Sequence, residues 1–280
     1  MSEANIELFQ EKGITLSSDR LQKYQELFTR MEGKKEGFED MGGAWRPSVL
    51  KIVQPVTTDA AKPSTAKEGD LFTKGGGVNR PLRGVVVYAW HTRVRFVQGA
   101  DTRPSCSSEN VDIRGRGKDD KSVSAYGDSC ASCPHGDQPF TGGKQTNCNN
   151  VLNVLFIPEG LEDMYHLQFS KASFTIGRQL TDLARATPQA WSRFYEINTE
   201  GKKRERGSGK YFVMTVSPVA DTPVPDDLKV FASVVGEQFK VAREAAKKQV
   251  RQRVSDVVSH SDVETLGSTP PEKRGFKDTF

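Results

Sequence analysis

Apolar positions recur along this chain in two periods, and the switch between them lays out its elements. From Ser17 or Ser18 to about Glu32, Leu21, Tyr24, Leu27, Phe28 and Met31 return every three or four residues, which predicts an amphipathic helix. Its Tyr24 and Phe28 are expected to pack onto the rest of the protein. Gly33, Gly37, Gly42 and Gly43 then interrupt the pattern. Residues 48–54 (SVLKIVQ) read as a short strand, and residues 55–81, rich in Pro, Thr and Gly, as a polar loop. Residues 83–97, RGVVVYAWHTRVRFV, form the longest β-rich run. Alternation puts Val86, Tyr88, Trp90, Thr92, Val94 and Phe96 on one face. Val85, Val87, Ala89, His91, Arg93 and Arg95 fall on the other. A strand this long in a small barrel must curl or bulge, so the faces are expected to swap partway.

Residues 151–157 (VLNVLFI) resume the sheet, Pro158, Glu159 and Gly160 turn it, and residues 164–169 return. Ser170 or Ser173 is placed to cap a helix carrying Phe174, Ile176, Leu180 and Leu183. Residues 191–198 and 210–219 predict a hairpin whose loop is residues 199–209. After Pro223 and Pro225 a helix begins near Asp226. Its stripe of Val230, Phe231, Val234, Val235, Phe239 and Val241 fades into a charged continuation to about Val258. The fold class is therefore mainly β with flanking helices. Five or six curved strands with one helix among them suit an OB-type barrel, with an SH3-like barrel as the nearest rival. The expected division is a helical extension over 1–45, the barrel over 46–222, a C-terminal helix over 223–259 and a flexible tail over 260–280.

The barrel is expected to carry an insert at about 99–149, and this insert holds all four cysteines: Cys106, Cys130, Cys133 and Cys148. Cys130 and Cys133 are separated by two residues, so both thiolates can reach one ion from a tight turn, with the distant pair closing a tetrahedral shell. Around them Gly115, Gly117, Gly127, Gly136, Gly142 and Gly143 leave almost nothing to form a core. A structural Zn²⁺ would supply the missing folding energy. His135 is an alternative ligand to Cys106. A redox pair fits less well, because Cys130 follows no hydrophobic strand.

Composition narrows the class. The chain has 280 residues, a formal net charge of +4 and no run of about 18 apolar residues. Its start, MSEANIELFQEKG, lacks the basic-then-apolar pattern of a secretory signal. A reducing, cytoplasmic setting is expected, which favours zinc thiolates over disulfides. The mild positive charge permits a nucleic-acid partner without requiring one.

Strands that bind single-stranded nucleic acid need rings for stacking and cations for phosphate. The candidates are Tyr88 and Trp90, Arg93 and Arg95 on the long strand, and the basic cluster Lys202, Lys203, Arg204 and Arg206 on the hairpin loop. Tyr88 and Trp90 compete with an ordinary core role, and the basic cluster with a solvated tip. Catalysis finds no support. Gly75, Gly76 and Gly77 lack the Lys-Ser/Thr of a phosphate-binding loop, and HExxH and GxSxG do not occur. The deaminase pattern fails because Ser129, not Pro, precedes Cys130 and no His-x-Glu exists. The protein is expected not to be an enzyme.

Taken in order, several pieces carry a resemblance. They are residues 50–54 (LKIVQ) with a later Gly69-Asp70, Cys106-Ser107-Ser108, Cys130-Ala131-Ser132-Cys133-Pro134, and Cys148. Residues 151–157, 169–173 (FSKAS), Phe194-Tyr195 and residues 209–213 (GKYFV) follow. The stretch from Leu50 to Val216 resembles the zinc-containing single-stranded-DNA-binding proteins of tailed bacteriophages. The resemblance implies an OB fold, a structural zinc, and sequence-tolerant coating of single strands in phage DNA replication or recombination, in the cytoplasm of the infected bacterial host. The alternative is a phage transcription or replisome factor that uses the same domain to bind RNA polymerase or a replication enzyme. No membrane association is expected. One departure concerns the tail: Asp262, Glu264, Glu272 and Asp278 face Lys273, Arg274 and Lys277, a net charge of only −1, although the chain does end in Phe280. Recruitment of phage replication proteins through a strongly acidic tail is not supported by that composition.

Overall fold

The alternating runs assemble into one mainly β, curled, barrel-like sheet with helices against it. The computed structural model describes residues 7, 9–31, 47–55, 62–95, 106–109, 149–170, 173–203 and 209–260. For 93–95, 106–109, 149 and 245–260 it describes the backbone alone. In chain order the elements are α1 (Ser18–Met31), β1 (Ser48–Ile52), β2 (Leu71–Thr73), β3 (Gly76–Val78), β4 (Leu82–Arg95), β5 (Cys106–Glu109), β6 (Asn149–Pro158), β7 (Tyr165–Ser170), α2 (Phe174–Arg185), β8 (Arg193–Lys203), β9 (Lys210–Pro223) and α3 (Asp226–His260). The sheet runs β3-β2-β1-β7-β6-β4-β8-β9, with β5 pairing β4 off this path. All pairings are antiparallel except β1 with β7.

The sheet curls until β1 approaches β9. Gln54, just past β1, donates from Nε2 to the Phe212 carbonyl at 2.7 Å, and its Oε1 accepts the Phe212 N–H at 2.8 Å. A side-chain amide thus stands in for a ladder pair. Gly69 reinforces the closure: at φ +87° it adopts a left-handed conformation, and a Cβ there would come within 2.7 Å of the Phe212 ring. Thr199 Oγ1 donates to the Gly69 carbonyl at 2.7 Å.

The inner face of this curl is mainly apolar, although half-buried His91 lies on it opposite Leu152 and Thr181 of α2 is buried beside Leu180. Leu50, Leu71, Val86, Leu152, Val154, Phe156, Leu167, Phe169, Ile197 and Met214 meet there, and α2 closes one side with Leu180 and Ala184. On the outer face Val85, Val87, Leu155, Ile157 and Phe194 pack against Leu228, Phe231, Ala232 and Val235 of α3. Helix α1 docks on the same side. Tyr24 packs on Phe231 with centroids 4.5 Å apart, and Phe28 meets Phe231 edge-on at 4.9 Å. Arg20 pairs with Asp227, and the Tyr24 hydroxyl donates to Asp227 at 3.0 Å. Burial and the neighbouring Asp227 push the Tyr24 phenol well above its usual range.

The expected bulge occurs between Val86 and Tyr88, where the β4–β6 register shifts. Val85 and Val87 face outward, and Tyr88 and Trp90 then share that outer face. Four readings are corrected. The polar loop over 55–81 contains β2 and β3, strands of three residues with a glycine-rich turn that carries no alternation. Trp191 lies in a 3-10 turn, Ala190–Ser192, and β8 starts two residues later. Ser173 precedes α2 but makes no side-chain cap, because its hydroxyl donates to the Ser170 carbonyl instead, at 2.8 Å. Val241 is 66 % exposed and leaves the apolar stripe of α3. Among the described residues no helix is long and apolar enough to cross a membrane.

Candidate nucleic-acid interface

The long strand β4 carries the residues singled out for stacking, and the register decides what surrounds them. Trp90 pairs with Asn153 of β6, and Asn153 pairs with Gln168 of β7. His166, two residues before Gln168, shares the outer face with Trp90 and Asn153. Its ring lies 4.9 Å from the indole at 23°. Asn153 holds the arrangement from below. Its Oδ1 is 2.8 Å from His166 Nε2, and its Nδ2 donates to Thr92 Oγ1 at 3.0 Å. Asn153 is 2 % exposed and is therefore a buried amide whose polar atoms are satisfied. Burial first, and the Arg243 charge second, pull the His166 pKa down to about 4, so the ring is neutral at pH 7. A neutral His166 donates from Nε2 to Asn153.

Two side chains of α3 complete the cluster. Phe239 packs 5.1 Å from Trp90 and 5.7 Å from Tyr88. The Arg243 guanidinium lies over the indole at 4.6 Å, and Arg243 itself is 7 % exposed. Tyr88 and Trp90 are therefore half-buried, in contact with each other at 6.0 Å. Sequence reasoning picked out both rings but not Asn153, His166 or Arg243. The visible signal was Asn153 itself, a lone amide inside an apolar strand.

The second patch is the β8–β9 hairpin. Its ladder extends further than expected: Lys202 pairs with Tyr211 and Lys203 with Lys210, so both lysines stand on a strand instead of a loose loop. All three lysines are exposed. Lys210 places its ammonium 4.7 Å over the Phe212 ring, the ring that Gly69 and Gly201 accommodate. Arg204 and Arg206 lie outside the described residues.

The structure does not bring the two patches together. β8 pairs β4 only from Leu82↔Ile197 to Gly84↔Tyr195, and the strands are antiparallel. Trp90 lies toward one end of β4, while Lys202 and Lys203 run off the other. At about 3.3 Å per residue the separation along the strands is on the order of 40 Å before curvature. A groove beside the hairpin, lined by Thr65, Asp70, Asn79, Arg80 and Asn198, adds little attraction for an anion. Arg80 there is engaged by Asp70 at 2.8 Å and by Thr199.

At the Trp90 end the backbone places Arg93 and Arg95 opposite Ser108 and Cys106 of β5. Cys106 is the first residue of β5, and Asn149, the first of β6, lies opposite Val94 on the other side of β4. One of the four expected zinc ligands, Cys106, is therefore paired through its backbone with Arg95, the last residue of β4. Cys130, Cys133 and Cys148 lie outside the described residues, and among the described ones no cluster of His, Cys, Asp and Glu forms a metal site.

No protein family, no characterised protein and no solved structure matches this chain.

Proposed function

We propose that the protein binds single-stranded DNA with little sequence preference, through an OB-type barrel braced by a structural zinc. The observation that carries this reading is the connectivity. Within the sheet, β7-β6-β4-β8-β9 form a three-strand meander, then a helix, then a hairpin, with α2 between β7 and β8. That is the order of a five-stranded OB barrel, whose ligand face lies on its second and third strands between the first-to-second and fourth-to-fifth strand loops. Here those strands are β6 and β7, which carry Asn153 and His166. The first loop holds the four cysteines, and the second holds the basic cluster Lys202, Lys203, Arg204 and Arg206. In chain order the candidate positions thus fall on the strands and loops that such a barrel would use, with Trp90 and the lysines toward opposite ends of β4. β1, parallel to β7, is an addition between β7 and β9. Soft thiolates from Cys106, Cys130, Cys133 and Cys148 suit zinc in a segment with little core of its own. The setting proposed is phage DNA replication or recombination in the host cytoplasm.

Two measurements test this. Titration with oligo-dT, a duplex of equal length and RNA, followed by tryptophan fluorescence, should show tightest binding to oligo-dT. Affinity should fall with salt with a slope of about −0.7 per phosphate neutralised. Preference for one duplex sequence would sink the coating role and favour a transcription factor. Elemental analysis should find one zinc per chain, lost in Cys133→Ala. Metal-free protein at purification removes the zinc from the reading and leaves the DNA claim standing.

A further inference from the structure

The Trp90 indole is already stacked. His166 lies nearly parallel to it, Phe239 packs against it, and the Arg243 guanidinium lies over it at 4.6 Å. A flat aromatic surface with a cation above it is the environment that single-strand-binding proteins offer to a base and its phosphate. We propose that the Trp90–His166 platform is a nucleobase-stacking subsite occupied, in the free protein, by the chain's own Phe239 and Arg243. Seating of the distal part of α3 and binding of a strand at this subsite then exclude each other. The inference rests on the single-strand reading above and adds its regulation.

The two parts of α3 differ in how they are held. Leu228, Phe231, Ala232 and Val235 are fully buried and fix the first ten residues of the helix. Gly236 follows, close enough to β4 that a Cβ would meet Val87 at 3.3 Å. Beyond it Glu237, Gln238, Lys240, Val241, Ala242 and Glu244 are exposed. Contact with the sheet passes to Phe239 and Arg243. A glycine at the boundary is the weakest helix former there short of proline, so the distal part can lift or fray while the proximal part stays docked. The platform survives that departure. His166 is held by Asn153 and Asn153 by Thr92, all on the sheet and independent of α3. A base entering the space would regain the stacking that Phe239 and Arg243 give up.

The test uses the full-length chain and oligo-dT at low salt. The double variant Phe239→Ala/Arg243→Ala should bind about five- to tenfold tighter than the parent, because the platform no longer has to be vacated. In the parent chain, amide hydrogen exchange over residues 237–244 should speed up when oligo-dT is added, while residues 226–235 stay protected. Unchanged or weaker affinity in the variant overturns the proposal. So does slower exchange over 237–244, which would mean that α3 grips the strand. The exchange arm needs no variant and stands even where the substitutions disturb folding. If neither protein binds oligo-dT, the single-strand reading itself has failed, and this inference with it.

Discussion

The two faces of the same sheet are built to different rules. On β6, Leu152, Val154 and Phe156 point inward into a mainly apolar cluster, with His91 of β4 opposite Leu152 at its end. Asn153, Leu155 and Ile157 alternate with them and point outward. Leu155 and Ile157 are fully buried under α1 and α3, as a second core requires. Asn153 breaks that rule, and around it the outer face turns polar: Thr92, His166 and Arg243. Apolar residues at these positions would be stabilised by burial alone, whereas each polar group must find a partner or lose on the order of 1–3 kcal/mol. A sheet able to carry an apolar core on both faces carries one and a half. Such local breaks in an otherwise consistent sequence mark positions shaped by something besides folding.

The largest contrast should come from truncating one ring on each face. Phe156→Ala, at a fully buried inner position, should cost about 3–5 kcal/mol in urea unfolding. Trp90→Ala, at a half-buried outer position, should cost about 1–2 kcal/mol. Only Trp90→Ala should remove most of the fluorescence quenching by oligo-dT. If the Trp90 variant is as unstable as the Phe156 variant, and binds as the parent does, the outer polar end is ordinary core.

The inner face was legible in the sequence, and the outer one only in part. The runs that became β4, β6, β7, α2 and α3 announce themselves because burial of a regular element imposes a period on its apolar residues. The bulge in β4 was foreseeable from length alone. β2 and β3 were not: three residues cannot show alternation, and Gly75, Gly76 and Gly77 read as loop. Residues 199–203 also read as loop, since Gly201, Lys202 and Lys203 are poor strand formers. Their place in the ladder comes from the partner run at residues 210–214. Arg243 over Trp90 joins positions far apart in the chain, and nothing local in either segment points to the other. The separation of the two basic and aromatic patches to opposite ends of β4 followed only from strand register.

A middle-sized effect concerns pH, because the half-buried His166 on the outer face is held in its neutral form. The His166 pKa falls from 6.5 to about 4 on folding, chiefly by desolvation. Below pH 6.5 the unfolded chain therefore binds a proton that the folded chain refuses. The sign follows: stability is fully present above about pH 6.5 and declines as pH drops toward 4, by roughly 2–3 kcal/mol for this one group. His166→Gln should flatten that part of the stability profile, read from urea midpoints at successive pH values. A profile unchanged by the substitution would show that His166 is not buried in its neutral form, and that the polar end of the outer face is open to water.

The smallest effect on stability, with a distinct effect on binding, is expected at the hairpin, which belongs to neither face. Lys203 lies directly opposite Lys210 in the ladder, a like-charge pair that disfavours the strand pairing. Lys210 turns its ammonium over Phe212 instead. Lys202 and Lys203 are exposed, so neither contributes buried contacts to the sheet. Such a concentration of cations is tolerated at modest expense and relieved by an anion. Changing Lys202, Lys203, Arg204 and Arg206 together to Ala should leave Tm within a few degrees of the parent or raise it slightly. Oligo-dT should bind more weakly, and the salt slope should become shallower by about 0.7 for each phosphate that is no longer neutralised. Tryptophan quenching at saturation should persist, because Trp90 lies at the far end of β4 and its stacking does not pass through the hairpin. Unchanged affinity and slope would make the hairpin a solvated tip. The phosphate path would then run along Arg93 and Arg95, beside the cysteine-bearing insert, and the whole binding surface would lie at one end of the sheet.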